Sequence, residues 1–131
     1  MHKKITTYEL QKMKKNGEKI SALTCYNFYM SQIFNRVGID VILVGDSLGM
    51  VELGYDSTIP VTIDDMRTHL KAVRRGNTRA LLVVDMPYMS YNFSRRESLN
   101  YAGMLMKDGA EAVKIEGGKE VKKNYSNASR S

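Results

Sequence analysis

Four short apolar runs alternate with segments of helical periodicity, and this alternation limits the fold more than any other feature of the chain. The runs are rich in Val, Ile, Leu and Ala and cover residues 20–25, 40–44, 80–84 and 112–115. Continuous apolar runs of this length are typical of parallel strands that are covered on both faces. Strands that alternate with helices imply right-handed βαβ units and a parallel sheet. We therefore expect an α/β fold of about four βα units.

Capping signals predict where the helices begin. Thr7 is expected to cap a short helix over residues 8–15, which precedes the first strand and ends at Asn16-Gly17. A capping box places a hydroxyl residue three positions before a carboxylate, and the two side chains bond the first amide groups of the helix. Two pairs have this spacing: Thr62 with Asp65, and Ser94 with Glu97.

The apolar residues within these segments predict which helix faces turn inward. The helix after residue 62 is expected to bury Ile63, Met66, Leu70 and Val73. The helix after residue 94 is expected to bury Leu99, Ala102 and Met106. Residues 20–25 are expected to form a buried strand, and residues 45–61, with their Gly and Pro residues, are expected to form a long loop.

Two architectures are compatible with this alternation, a doubly wound sheet and a (β/α)₈ barrel. The length of 131 residues fits the sheet better, because a complete barrel needs about 250 residues. However, the first strand runs into Thr24-Cys25-Tyr26, and the Gly-x-Gly-x-x-Gly turn of dinucleotide-binding sheets does not follow it. The residues alone leave both architectures open.

Three of the four predicted strands are followed by a carboxylate: Asp46, Asp85 and Glu116. Because the carboxyl ends of parallel strands lie at one edge of a sheet, these side chains are expected to converge where α/β proteins place their sites. Clustered carboxylates repel unless a cation relieves them, and Mg²⁺ prefers oxygen ligands. Each acid taken alone is also compatible with a turn residue or a helix cap.

Other residues near the strand ends have competing interpretations. Lys114 lies two positions before Glu116, so both side chains point to the same face, where a cation could meet an anionic ligand. Ser47 is either a turn hydroxyl or a donor to a carboxylate. Cys25 is interpreted as a small core residue and His69 as a surface residue. Three aromatic residues after Asp85 either line a pocket or pack their own loop: Tyr88, Tyr91 and Phe93.

Composition argues against several classes of protein. The net charge of +6 arises largely from basic residues on predicted helix surfaces and in residues 119–131. Basic and aromatic residues do not alternate along the chain, as they do on surfaces that stack nucleic-acid bases. We therefore expect no nucleic-acid partner. The longest apolar runs are too short to span a membrane, so we expect no membrane partner. A single cysteine excludes an internal disulfide and favours the cytoplasm.

Five blocks of sequence, in this order, resemble the ketopantoate hydroxymethyltransferase family. They are ISALTCY at residues 20–26, VILVGDSLGM at 41–50, LGYDST at 53–58, VDMPY at 84–88 and VKIEGG at 113–118. The resemblance covers residues 3–118, and it is most specific at Gly45-Asp46-Ser47-Leu48-Gly49.

The resemblance implies the N-terminal half of a (β/α)₈ TIM barrel with a short helix before its first strand. It implies transfer of a hydroxymethyl group from 5,10-methylenetetrahydrofolate to 3-methyl-2-oxobutanoate, giving 2-dehydropantoate in pantothenate and coenzyme A synthesis. By similarity, Asp46, Asp85 and Glu116 hold Mg²⁺, and the oxo acid contacts Asp46, Ser47, Asp85 and Lys114. The oxo acid and the folate are then its small-molecule partners, and a homo-oligomer is expected.

The sequence departs from the family pattern after residue 118. Residues 1–118 are expected to form a partial barrel domain, and residues 119–131 a polar, basic tail unlike the family's continuation. The family's general base, a glutamate, lies beyond these blocks, so no catalytic residue is assigned here. Two non-enzymatic alternatives therefore stay open. One is a truncated, inactive fragment that is unstable or that survives by pairing with another half-barrel, and the other is a small basic binding module.

Overall fold

Helices and strands alternate through the computed structural model, which describes residues 3–119. The elements, in chain order, are α1 Thr7–Lys15, β1 Ala22–Thr24, α2 Phe28–Val37, β2 Val41–Val44, α3 Leu48–Val51, α4 Ile63–Gly76, β3 Leu81–Asp85, α5 Arg95–Lys107 and β4 Ala112–Lys114. The predicted α/β class is confirmed. The second, third and fourth strands lie within one residue of their predicted bounds.

The four strands form one parallel sheet in the order β1-β2-β3-β4. Thr24 pairs with Leu43 across the first ladder, and Asp85 pairs with Lys114 across the third. A doubly wound sheet reverses its strand order at a switch point, whereas a barrel adds each strand beside the one before it. The observed order is therefore that of consecutive barrel strands.

The core lies between the sheet and its helices. β2 and β3 contribute four fully buried side chains, Ile42, Val44, Leu82 and Val84. The predicted face of α4 is confirmed, because Met66, Leu70 and Val73 are fully buried and Ile63 packs partly buried against them. The capping box at the start of α4 is also confirmed in both directions, with Thr62 and Asp65 each bonding the other's backbone amide at 3.0 Å.

Small residues let α2 and α4 approach closely. The Ser31 hydroxyl is buried and donates a hydrogen bond of 2.6 Å to the carbonyl oxygen of Val73. A Cβ atom added at Gly76 would lie 2.9 Å from the Ser31 Cβ, so a larger residue there would push the helices apart. This packing fixes the helices that precede β2 and β3, and with them the strand ends.

Several local predictions are wrong. The predicted buried strand at residues 20–25 is shorter, and all three residues of β1 are exposed, with Leu23 45% exposed. Its position at the edge of the described sheet leaves it uncovered on one side. The cap of α1 is Thr6 rather than Thr7, because the Thr6 hydroxyl accepts the amide of Glu9 at 3.2 Å.

The predicted inner face of α5 is wrong for Leu99 and Met106, although Ala102 does pack against the core. Leu99 and Met106 are exposed, Ala102 is partly buried, and the fully buried positions are Ser98 and Leu105. The inward stripe therefore begins one residue earlier than the apolar pattern indicates. Ser98 is tolerated inside because its hydroxyl donates to the carbonyl of Ser94 at 2.8 Å.

The predicted loop over residues 45–61 contains the single-turn helix α3. Leu48 and Gly49 are buried in it, and a Cβ atom at Gly49 would overlap the Val61 side chain. A one-turn helix that contains a glycine leaves too little periodicity for a sequence pattern to indicate it.

Candidate functional site

Four of the residues that the sequence singles out meet at the carboxyl edge of the sheet. The backbone amide of Asp46 donates to Oδ2 of Asp85 at 3.0 Å. The Nζ of Lys114 lies 2.9 Å from Oδ1 of Asp85 and 3.2 Å from Oε1 of Glu116. Asp46 follows β2, Asp85 ends β3 and Lys114 ends β4, so the parallel register brings them together. These residues therefore lie near one another at this edge, and the metal-binding role expected for the three acids stays a prediction.

Exposure increases across this cluster from Asp85 outward. The side chain of Asp85 is 7% exposed, that of Lys114 is 42% exposed and that of Glu116 is 77% exposed. Asp46 is partly buried beside Asp85. One end of the cluster is therefore fixed inside the fold, and the other is open to a small molecule from solvent.

The pKa values of Asp46 and Lys114 both lie above their ordinary values. Burial raises the pKa of Asp46 most, and the negative charges of Asp85 and Glu116 raise it further, against a smaller opposing effect of Lys114. The hydrogen-bonding and charge interactions of Lys114 with Asp85 and Glu116 raise its pKa, although burial opposes them. Three carboxylates face one ammonium group, so the cluster favours an additional cation.

The donor atoms suit a hard divalent cation. Oδ1 of Asp85 is buried, and the ammonium group of Lys114 lies 2.9 Å from it. Mg²⁺ takes oxygen ligands and is commonly held by one or two carboxylates together with waters and substrate. As the side chains stand, residues 3–119 contain no group of three acids, histidines or cysteines arranged around one metal position. Asp46 and Asp85 thus offer carboxylate oxygens of the kind that such an ion prefers, whereas the side chain of Glu116 pairs with Lys114.

Ser47 is held by a residue that the sequence analysis did not assign to the site. The hydroxyl groups of Tyr26 and Ser47 lie 2.8 Å apart. The backbone carbonyl of Tyr26 in turn lies 2.6 Å from Nδ1 of His69. The interpretation of His69 as a surface residue is therefore wrong, since it is partly buried and contacts the loop that carries Tyr26.

Gly45 permits the close approach of the second and third strand ends. A Cβ atom at this position would lie 3.1 Å from the Ser47 hydroxyl and 3.5 Å from Oδ2 of Asp85. A side chain at Gly45 would therefore crowd the Ser47 hydroxyl, whereas its distance from Asp85 would be that of an ordinary contact.

The aromatic residues after β3 divide between two environments. Tyr91 is partly buried, and burial raises its pKa, with further contributions from the charges of Glu116 and Asp46. Tyr88 lines a separate open groove of about 420 Å³ beside the first turn of α4. Phe93 is 69% exposed. Tyr91 is therefore close enough to the carboxylate cluster to be affected by its charges, whereas Tyr88 lines the separate groove. Cys25 is fully buried, as the sequence predicts, and burial raises the pKa of its thiol.

Solved structures with this fold are similar in shape and distant in sequence. A phosphonopyruvate hydrolase in complex with oxalate and Mg²⁺ matches with a TM-score of 0.64 at 11% identity, over 79% of this chain and 36% of that one. A 2,3-dimethylmalate lyase, a member of the PEP mutase/isocitrate lyase superfamily, matches with a TM-score of 0.64 at 14% identity, over 87% and 41%. These matches confirm the fold as part of a TIM barrel.

No helix among residues 3–119 has the length and apolar character needed to cross a membrane.

Sequence relatives are much closer. The 3-methyl-2-oxobutanoate hydroxymethyltransferase of Thermoanaerobacter sp. (strain X514) is 54% identical over 122 residues, which are 92% of this chain and 44% of the relative. That of Syntrophus aciditrophicus (strain SB) is 51% identical over 120 residues, 91% of this chain and 44% of the relative. The chain thus spans less than half the length of these relatives.

The sequence pattern of one family covers nearly the whole chain. The pattern described as ketopantoate hydroxymethyltransferase matches residues 4–129. This match extends beyond residue 118. The expectation that residues 119–131 form a polar, basic tail unlike the family's continuation stays a prediction, because residues 120–131 lie outside the described part of the structure. Because this pattern covers residues 4–129 and about half of the aligned residues are identical to those of the relatives, the chain belongs to the ketopantoate hydroxymethyltransferase family.

Proposed function

We propose that the strand-end cluster binds Mg²⁺ and 3-methyl-2-oxobutanoate for hydroxymethyl transfer from 5,10-methylenetetrahydrofolate, giving 2-dehydropantoate. The observation that carries this proposal is the meeting of Asp46, Asp85 and Lys114 at one edge of the sheet, with Glu116 beside them. Family membership supplies the reaction, since the relatives are named as 3-methyl-2-oxobutanoate hydroxymethyltransferases.

Asp46, Asp85 and Glu116 are the proposed metal-binding residues. When bound, Mg²⁺ would act as a Lewis acid that polarises the keto group and so makes the neighbouring C–H more acidic. Asp85 is the fixed member, because its side chain is buried and its Oδ2 already accepts the amide of Asp46. Glu116, being 77% exposed, can turn without disturbing the core.

Asp46, Ser47, Asp85 and Lys114 are the proposed contacts of the oxo acid. Lys114 carries the positive charge that a carboxylate requires, and its pKa is raised, so it is protonated at neutral pH. It now neutralises Asp85 and Glu116, both of which would be neutralised instead by a bound divalent cation. Lys114 would then be free to pair with the carboxylate of the oxo acid.

The chain's proposed share of the reaction is binding rather than proton removal. The resemblance assigns the base to a glutamate outside the matching blocks, so no residue here is assigned that role. The folate co-substrate and a homo-oligomeric assembly are taken from the same resemblance, and a cytoplasmic setting is proposed because the chain has a single cysteine. We expect neither nucleic acid nor membrane as a partner, and turnover by this chain alone is a separate question from binding.

Calorimetric titration tests the binding proposal directly. The chain would be titrated with 3-methyl-2-oxobutanoate in the presence and absence of Mg²⁺, and we expect measurable affinity only with the metal. The matched control ligand is 3-methylbutanoate, which keeps the carboxylate and branched chain but lacks the keto oxygen. Equal binding of both acids, or binding of the oxo acid that is indifferent to Mg²⁺, would refute the proposed site. Product formation with 5,10-methylenetetrahydrofolate would be measured in parallel.

A further inference from the structure

The Tyr26 hydroxyl makes a hydrogen bond with the Ser47 hydroxyl from a different loop. The two oxygen atoms lie 2.8 Å apart, and both residues are partly buried. Ser47 follows Asp46 directly, so this contact joins the loop after β1 to the residue beside the metal and oxo-acid cluster. The sequence gives no sign of it, since the two residues are 21 positions apart.

The loop that carries Tyr26 is fixed at three points. Cys25 is fully buried and its amide donates to the carbonyl of Leu43 at 2.9 Å. Asn27 caps α2, and its side chain accepts the amide of Met30 at 2.9 Å. The Tyr26 carbonyl lies 2.6 Å from Nδ1 of His69. Because a carbonyl oxygen only accepts, Nδ1 must carry the proton in this contact. Tyr26 therefore presents its hydroxyl from a rigid backbone.

The direction of the hydroxyl contact follows from relative donor strength. A phenol is a stronger hydrogen-bond donor than an aliphatic alcohol, so Tyr26 is the favoured donor and Ser47 the acceptor. The Ser47 hydrogen is then directed away from Tyr26. Gly45 leaves the Ser47 oxygen uncrowded on another side, because a Cβ atom added there would lie 3.1 Å from it.

We propose that Tyr26 is a positioning residue that commits the Ser47 hydroxyl to donate its hydrogen to a carboxylate oxygen of the bound oxo acid. This positioning role rests on the proposed function, because Tyr26 acts on Ser47, which is a proposed contact of the oxo acid. His69 acts one step further away, by holding the backbone of Tyr26. The phenol itself does not contact the ligand.

A double-mutant cycle tests the proposal. Affinity for 3-methyl-2-oxobutanoate would be measured by calorimetry at saturating Mg²⁺ for the unaltered chain, Tyr26→Phe, Ser47→Ala and the double variant. Tyr26→Phe keeps the ring, and we expect it to weaken binding about three- to tenfold, the range for one lost hydrogen bond. Ser47→Ala should weaken binding at least as much. The double variant should bind no more weakly than Ser47→Ala, because Tyr26 acts only through Ser47.

A separate titration with Mg²⁺ alone distinguishes positioning from a general loss of structure. Tyr26→Phe should leave the Mg²⁺ affinity unchanged, whereas a variant with a damaged fold would lose affinity for both ligands. Tyr8→Phe is the matched control, because Tyr8 is 69% exposed on α1, and it should bind like the unaltered chain.

The possible outcomes separate this inference from the proposed function. If the unaltered chain binds the oxo acid and Tyr26→Phe binds it equally well, the positioning role is refuted and the proposed function stands. The role is also refuted if the effects of the two single changes multiply in the double variant. If the unaltered chain binds no oxo acid at all, the proposed function fails and the positioning role fails with it.

Discussion

The ammonium nitrogen of Lys114 lies 2.9 Å from Oδ1 of Asp85, while the other carboxylate oxygen, Oδ2, accepts a hydrogen bond from the Asp46 amide. Asp85 is thus bound from two neighbouring strands, through its charge by β4 and through a hydrogen bond by the turn after β2. This arrangement makes Asp85 the fixed centre of the site. It also makes Lys114 the cation that holds the cluster together before any ligand binds.

Replacing Lys114 with methionine should affect stability and binding together. Lys114→Met leaves Asp85 buried without its ionic partner, so the free energy of unfolding should fall by about 1–2 kcal/mol. We expect no larger loss, because Lys114 is 42% exposed and solvent screens its charge. Affinity for the oxo acid should fall at least about tenfold, as for the loss of a charge-assisted contact. Urea unfolding and calorimetry measure the two effects.

The matched control for this change is Lys71→Met. Lys71 lies 3.9 Å from Asp108, which Arg67 already pairs at 2.6 Å, so its loss should change stability by less than about 0.5 kcal/mol. Equal effects of the two substitutions would show that Lys114 has no special place in the site.

Replacing Asp46 with asparagine should give a pH-dependent gain in stability without ligands. Burial and the charges of Asp85 and Glu116 raise the pKa of Asp46 above its ordinary value of 3.8. A carboxyl group with a raised pKa in the folded state contributes stability below the ordinary pKa and loses it as the pH rises through the raised pKa. Asp46→Asn should therefore raise the free energy of unfolding at pH 7 and leave it unchanged near pH 3.

Urea unfolding at the two pH values measures this difference, with Asp56→Asn as the control at an exposed loop position. A stability that falls on substitution at pH 7 would contradict the raised pKa. Added Mg²⁺ should reverse the order at pH 7, because Asp46 is a proposed metal ligand and Asn binds the ion less well.

Adding a methyl group at Gly49 should destabilise the chain, whereas the same change at Gly103 should not. The Cβ atom of Gly49→Ala would overlap Val61, and such overpacking costs about 1–3 kcal/mol. Gly103 lies in α5 with open space around it, so Gly103→Ala should stabilise by about 0.5–1 kcal/mol through helix propensity. Thermal unfolding of both variants measures the difference, and a loss at Gly103 equal to that at Gly49 would contradict the packing described for α3.

The fold could be predicted because its signals are local. The apolar runs of β2 and β3 and the capping box of α4 lie within a few residues, and each was found where the sequence indicates it. The carboxylate cluster could also be predicted, since one rule about parallel strands places Asp46, Asp85 and Glu116 at one edge.

The remaining features depend on contacts between distant parts of the chain. His69 contacts Tyr26 across 43 positions, and no local pattern distinguishes it from an exposed helix residue. Ser98 replaces Leu99 on the inner face of α5 because a hydrogen bond within the helix satisfies its hydroxyl. β1 has an apolar composition but lies at an edge, where exposure depends on which neighbours cover it.

The most direct test of the central claim, that the strand-end cluster binds Mg²⁺ and an oxo acid together, is urea unfolding with and without both ligands. Ligands present at about 100 times their dissociation constant should raise the free energy of unfolding by about 2.7 kcal/mol. The unaltered chain should therefore unfold at a higher urea concentration with Mg²⁺ plus 3-methyl-2-oxobutanoate, and Asp85→Asn should show no such shift. A cooperative transition of the unaltered chain that both ligands together leave unmoved would contradict the account.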